Sequence, residues 1–178
     1  MVIQLTGLPG AGKSTLALAA KTALEKKGKA VEVIDGDVYR RTVCKNLGFS
    51  KQDRYENMRR LGSIAHSFSM QGKIAIIAAI NPYEEIRQEL RINYNAKTVW
   101  IHCPVEILIQ RDPKGLYRRA LLPEGDPEKI NNLTGINDPF EIPLHPDLII
   151  NTAEMNLQEA STKMVRFIAA LQQPFVSQ

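Results

Sequence analysis

Eight consecutive residues carry the most specific chemistry in this chain. Gly7-Leu8-Pro9-Gly10-Ala11-Gly12-Lys13-Ser14 fits the pattern G-x-x-x-x-G-K-[ST]. Glycines at these places let backbone N–H groups turn toward phosphate oxygens without a side-chain clash, and a helix starting there adds positive potential. Lys13 has the reach for the β- and γ-phosphates of a nucleotide, and the Ser14 hydroxyl suits Mg²⁺. With Thr15 on the same first helical turn, residues 7–15 form the candidate ATP-binding loop. The bland alternative, a glycine-rich turn alone, is disfavoured by its place between a strand pattern and a helix pattern.

Asp35-Gly36-Asp37 follows a second strand pattern, at the carboxyl edge where open α/β sheets bind ligands. Two carboxylates there can serve Mg²⁺ or take a proton from a substrate hydroxyl, which is the assistance phosphoryl transfer needs. An Asp-Gly turn would look the same in isolation; the phosphate loop upstream favours function. A third cluster lies on the helix pattern after Ser50. Asn57, Leu61, Ile64 and Phe68 share one face, and Arg54 continues that face beyond its apolar part. An Arg and an Asn prolonging a buried stripe near a phosphate site suit an anionic substrate. Arg59 and Arg60 point elsewhere and are expected to be solvated. His66, His102 and His145 have no metal-ligand spacing and are read as structural. Trp100 is expected in the core, and Cys103 has no His nearby in sequence.

The elements that must position these residues alternate. Strand patterns occur at 2–6, 31–34, 74–80, 98–101 and 148–150, and helix patterns at 13–27, 50–71, 83–92, 104–112 and 156–171. The run from Ile74 to Ile80 is apolar throughout, as in a central parallel strand covered on both faces. The expected fold is α/β: a P-loop-type parallel sheet with helices on both faces, like the nucleoside monophosphate kinases. Residues 113 to 146 break the rhythm, holding six of the ten prolines and three of the eleven glycines. A connection so long is expected to be functional, here a lid carrying Lys114, Arg118 and Arg119. Its few apolar side chains suggest that it orders only with ligand. The whole of 1–178 reads as one kinase domain.

Composition narrows the function classes. The 178 residues are 44% hydrophobic and 24% charged, enough for a packed core and inconsistent with a disordered chain or coiled coil. Lys plus Arg outnumber Asp plus Glu by 23 to 19, and these cations are spread out. Lys26, Lys27 and Lys29 are the exception, at a helix C-terminus where positive charge is favourable. Small anionic substrates fit better than nucleic acid. No apolar run approaches the ~20 residues of a membrane helix. The cysteines, Cys44 and Cys103, lie far apart, and no secretory leader opens the chain, so a cytoplasmic protein without membrane partners is expected.

Several blocks together resemble the adenylylsulfate kinase (APS kinase) family over nearly the whole length. They are the phosphate loop, Asp35-Gly36-Asp37 with Arg40, and Leu47-Gly48-Phe49-Ser50-Lys51-Gln52-Asp53-Arg54-Tyr55-Glu56-Asn57-Met58-Arg59-Arg60. Arg111-Asp112-Pro113-Lys114-Gly115-Leu116-Tyr117 and Thr134-Gly135-Ile136-Asn137-Asp138-Pro139-Phe140-Glu141 follow in the same order. The resemblance implies transfer of the ATP γ-phosphate to the ribose 3′-hydroxyl of adenosine 5′-phosphosulfate. It implies Ser14 and Asp35 at Mg²⁺, and Lys13, Asp35 and Asp37 as the catalytic groups. Arg40, Arg54, Asn57, Ile80 and Asn81 would hold the acceptor, with Phe49 stacked on its adenine, Lys114 and Leu116 reaching it from the lid, and Arg111 near the ATP base. A homodimer is the assembly left open.

The chain departs from the family pattern at three places. Ile80-Asn81-Pro82-Tyr83 stands where the family has I-S-P-Y, so no phosphoester can form at residue 81 and direct in-line transfer is expected. Glu84 replaces the Arg that commonly follows this Tyr. Leu133 replaces a second adenine-stacking Phe, so Leu133→Phe is expected to tighten binding of the acceptor. Two other classes remain open on the residues: a kinase of this fold with another nucleotide or hydroxylated anion as acceptor, and a non-catalytic nucleotide-binding module.

Overall fold

A computed structural model describes residues 1–172; the last six residues of the expected domain, 173–178, lie outside the described part. Strands β1 (Val2–Thr6) and β3 (Ile74–Ala78) are buried at every position, as strands covered on both faces must be. With β2 (Val31–Asp35), β4 (Lys97–His102) and β5 (Leu148–Asn151) they form one sheet of order β2-β3-β1-β4-β5, paired in parallel throughout. β1 is central, and the connections leaving β1 and β3 run to opposite sides of the sheet. The crevice beyond the carboxyl ends of β1 and β3 is therefore where ligands bind in such sheets.

Alternation along each strand divides the apolar side chains between two faces. Ile3, Leu5, Ile76 and Val99 pack with α1 (Lys13–Glu25) and α7 (Leu157–Leu171). Val2, Ala75 and Ile77 pack with α3 (Lys51–Met70) and α4 (Glu84–Tyr94). Helix α1 buries Leu16, Ala17, Ala20 and Leu24, a single stripe at helical spacing. Ser50 caps α3 by accepting from the Asp53 N–H, and Gly72 closes that helix at φ +80°. Among the described residues, no helix is long and apolar enough to cross a membrane.

Two short helices depart from the sequence reading. Helix α2 (Gly36–Arg40) begins directly at Asp35, whose carboxylate accepts from the N–H groups of Asp37 and Val38. Asp-Gly-Asp looks like a turn in sequence because nothing there shows that Asp35 is an N-cap. After α5 (Val105–Arg111), the lid segment contains α6 (Leu116–Ala120). That segment is less poor in apolar anchors than expected: Tyr117, Ala120 and Leu133 are buried in the core against α1 and α7. Trp100 is only half-buried, tilted against His102, because β4 is not covered fully at that position. Arg59 is exposed, as expected, and pairs with Glu89 at the surface, while half-buried Arg60 pairs with Glu56.

Candidate active site

The phosphate loop joins β1 to α1. Gly7 has φ +152°, and a Cβ there would lie 2.3 Å from the Ile101 carbonyl oxygen, so the backbone approaches β4 more closely than a side chain permits. The Gly7 N–H donates to the Ile80 carbonyl, tying the loop to the end of β3. Lys13 is buried, and its ammonium donates to the carbonyls of Gly7 (2.9 Å) and Leu8 (2.8 Å). Burial pushes its pKa down to about 8, with Asp37 and Asp35 opposing the shift and Lys114 adding to it. The lysine thus folds back onto the loop's own carbonyls, within the electrostatic reach of two carboxylates.

Asp35 has two tasks. One oxygen caps α2, and the other accepts from the Ser14 hydroxyl. A hydroxyl and a carboxylate oxygen held in contact at the foot of a phosphate loop fit a hard divalent cation. A single protein carboxylate suits Mg²⁺, which takes its remaining ligands from phosphates and water. No cluster of three or more metal-binding side chains exists among the described residues.

Beside this loop lies a cavity of about 290 Å³, lined among others by Asp37, Arg40, Arg41, Phe49, Arg54 and Asn57, with Ile80 and Asn81 at its floor. Helix α2 puts Asp37 and Arg40 three residues apart and so on one face. The Arg40 guanidinium lies 4.5 Å from the Phe49 ring centroid and donates to the Gly48 carbonyl. Arg54 is 6% exposed; it donates to the carbonyls of Phe49 and Asn132 and pairs with Asp138 at 2.6 Å. The Oδ1 atoms of Asn57 and Asn81 are buried without a partner, an arrangement that costs free energy unless a ligand or water supplies a donor. Three arginines suit an anionic group, and the two unpaired amide oxygens suit a donor such as a hydroxyl.

The sequence pattern of the adenylylsulphate kinase family matches residues 1–151. An adenylyl-sulfate kinase of Chloroflexus aurantiacus is 46% identical over 160 residues, which cover 89% of this chain and 83% of that protein. The chain belongs to the adenylylsulphate kinase family. An APS kinase of Mycobacterium tuberculosis, solved in complex with AMPPNP and APS, superposes with a TM-score of 0.85 at 31% identity, covering 94% of this chain and 98% of that one. A shikimate kinase from Aquifex aeolicus, with a TM-score of 0.52 at 17% identity, shares the P-loop kinase fold.

The positions matched to the APS kinase pattern do not all fall together. Residues 7–15, with Asp35, form the nucleotide end; Asp37, Arg40, Phe49, Arg54, Asn57, Ile80 and Asn81 gather at the cavity. Arg111 stands apart, donating to the Thr152 carbonyl, while the Thr152 hydroxyl donates to Ala11 of the loop. That places Arg111 at the rim of the nucleotide end. From the lid, Lys114 reaches Asp37, and Tyr117 donates to the Pro9 carbonyl at 2.8 Å. Half-buried Leu116 packs on the core beside it. Leu133 does not line the cavity: it is 6% exposed and lies in the core. Glu84 finds its partner in Arg87, at 2.9 Å. The sequence reading missed Arg41 in the cavity lining and the buried Arg87. The second was legible, because Arg87 occupies a core-facing slot with Tyr83, Ile86 and Leu90 at helical spacing.

Proposed function

We propose that this kinase transfers the γ-phosphoryl group of ATP to the ribose 3′-hydroxyl of adenosine 5′-phosphosulfate (APS), giving 3′-phosphoadenosine 5′-phosphosulfate and ADP, as one domain with residues 113–146 as its lid. The observation that carries this reading is the position of Asp37, which lines the cation-rich cavity and also acts electrostatically on Lys13. The two substrates therefore meet at Asp37. Lys13 leaves the Gly7 and Leu8 carbonyls for the β- and γ-phosphates and offsets the charge that develops there. Mg²⁺ held by Ser14 and Asp35 would supply further neutralisation between those phosphates. Arg40, Arg54 and Asn57 hold the acceptor, and Phe49 gives its adenine an aromatic face.

Asp37 orients the 3′-hydroxyl and takes its proton. The hydrogen bond from Lys114 holds this carboxyl below its usual range, which suits late proton transfer in a loose transition state. Asn81 offers no nucleophile, which supports direct transfer. A hexameric APS kinase of Thiobacillus denitrificans is among the structural relatives, at 28% identity and a TM-score of 0.69. The match covers 96% of this chain and 29% of that one, and on it we propose self-association, a homodimer being the smallest form; the cytoplasm is the proposed location.

The test is an acceptor screen with purified protein and Mg-ATP, following ADP release and the mass of the product. APS should be the acceptor with the highest kcat/KM. Faster turnover of another nucleotide or hydroxylated anion would overturn the reading.

A further inference from the structure

We infer that Arg87 is a positioning residue for the acceptor site, holding the cavity floor at Asn81 and the root of the lid at Glu141 in one fixed relation. This deepens the proposed function and rests on it for the identity of the acceptor. Arg87 is 1% exposed, among the most buried large side chains of the protein. A guanidinium presents its N–H donors in a rigid plane and can hold several acceptors at set angles. Here one terminal nitrogen donates to the Asn81 carbonyl at 2.7 Å and the other to the Glu141 carbonyl at 2.7 Å, while Nε faces Glu84 at 2.9 Å.

Each of the two carbonyls belongs to a segment that needs placing. Asn81 has φ +47°, in the left-handed region that asparagine enters more readily than other non-glycine residues, and here hydrogen bonds hold it there. The surroundings are an interlocked set. The Thr6 hydroxyl donates to the carbonyls of Ile80 and Asn81, directly before the phosphate loop. The Asn81 amide donates to Gln4 Oε1 at 2.9 Å, and Gln4 Nε2 donates to the Arg87 carbonyl at 2.9 Å. Arg87 therefore grips Asn81 twice, through its side chain and, by way of Gln4, through its backbone. This uses one N–H of the Asn81 amide and leaves its Oδ1 unpaired.

The lid root is held as firmly. The Glu141 N–H donates to the Pro82 carbonyl at 2.8 Å, and its carboxylate accepts from the Glu84 N–H at the start of α4. Glu84, where the family commonly has Arg, is thus both the counter-charge of the buried guanidinium and a neighbour of the lid. Losing Arg87 removes the side chain that bonds Asn81 and Glu141 together, leaves their other bonds in place, and loosens the floor offered to the acceptor. None of the hydrogen bonds within the nucleotide loop, or from Gly7 to Ile80, involves Arg87.

The test compares wild type with Arg87→Lys, whose single nitrogen cannot span both carbonyls, and with Glu84→Gln, an isosteric change that removes the counter-charge. Arg87→Lys should raise the KM for APS by about tenfold or more while the KM for ATP stays within about twofold. Glu84→Gln should move the same parameter in the same direction by a smaller factor, and it carries the test if Arg87→Lys does not fold. Parallel changes in both KM values, or a lower melting temperature with unchanged KM for APS, would overturn the inference. Amide exchange on the ligand-free proteins provides a second readout: it should quicken at Glu84 and Glu141 and not in α1. If wild type fails to phosphorylate APS, the proposed function falls, while the exchange comparison still decides the clamp. Unchanged exchange would then refute it.

Discussion

The ammonium of Lys114, on the lid, lies 2.8 Å from Asp37 Oδ2, and both side chains remain largely exposed. The pair joins residue 114 to a carboxylate that lines the cavity, and it holds the Asp37 carboxyl below its ordinary range, mainly through this hydrogen bond. A depressed carboxylate pKa keeps Asp37 anionic at lower pH. Lys114→Ala should therefore move the acid limb of the kcat/KM profile to higher pH. Asp37→Asn should cut kcat by about 10²-fold or more, since an amide cannot take the hydroxyl proton. An acid limb unmoved by Lys114→Ala would show that Asp37 does not titrate in that limb.

Lys13 makes a prediction about protons. Its pKa near 8 in the free protein reflects burial without a phosphate partner. A bound polyphosphate favours the charged form, so nucleotide binding near pH 8 should take up about half a proton, and almost none at pH 6. Calorimetry in two buffers of different ionisation enthalpy measures this; equal heats at pH 8 would contradict it.

The same group has a stability signature. The folded-state pKa lies below the ordinary value of 10.5, so the cost of the buried charge is fully present below about pH 8 and gone above 10.5. Wild type should gain stability relative to Lys13→Met as pH rises through that window, in chemical denaturation at several pH values. Turnover by Lys13→Met should fall by about 10²-fold or more, because the charge at the transferring phosphate is lost.

Leu133 and Phe49 should behave oppositely. The family pattern would have Leu133→Phe tighten APS binding, yet this side chain lies in the core and away from the cavity. An added ring there should overpack the site and cost about 1–3 kcal/mol of stability, with no gain in APS affinity. Phe49 is 52% exposed beside the cavity. Phe49→Ala should leave the melting temperature nearly unchanged and raise the KM for APS by about fivefold or more, from lost base stacking. Thermal melts and APS titrations of the two variants distinguish these outcomes.

The sequence by itself determined the order of elements and the nucleotide end of the site. Among the described residues, the five strand patterns and five of the seven helices lie where hydrophobic period and capping residues put them. The phosphate loop is contiguous, so its chemistry is written within eight neighbours. Arg54 and Asn57 were legible for a related reason, since helical periodicity shows which face they share. Such local signals survive without any knowledge of tertiary contacts.

Only the tertiary structure decided what depends on partners far away in the chain. Helix α2 exists because Asp35 caps it while its other oxygen meets Ser14, 21 residues earlier. Leu133 sits at a family substrate position in sequence, but whether a leucine faces a cavity or a core is set by the packing around it. The lid shows its prolines and cations in sequence and hides its anchors, Tyr117 on the Pro9 carbonyl and Lys114 on Asp37. The departure at Glu84 gains a physical reason only beside Arg87, a charge that burial makes costly until a carboxylate and two carbonyls surround it. Periodicity encodes which way a side chain points along its own element; which partner meets it there is fixed only when the elements pack.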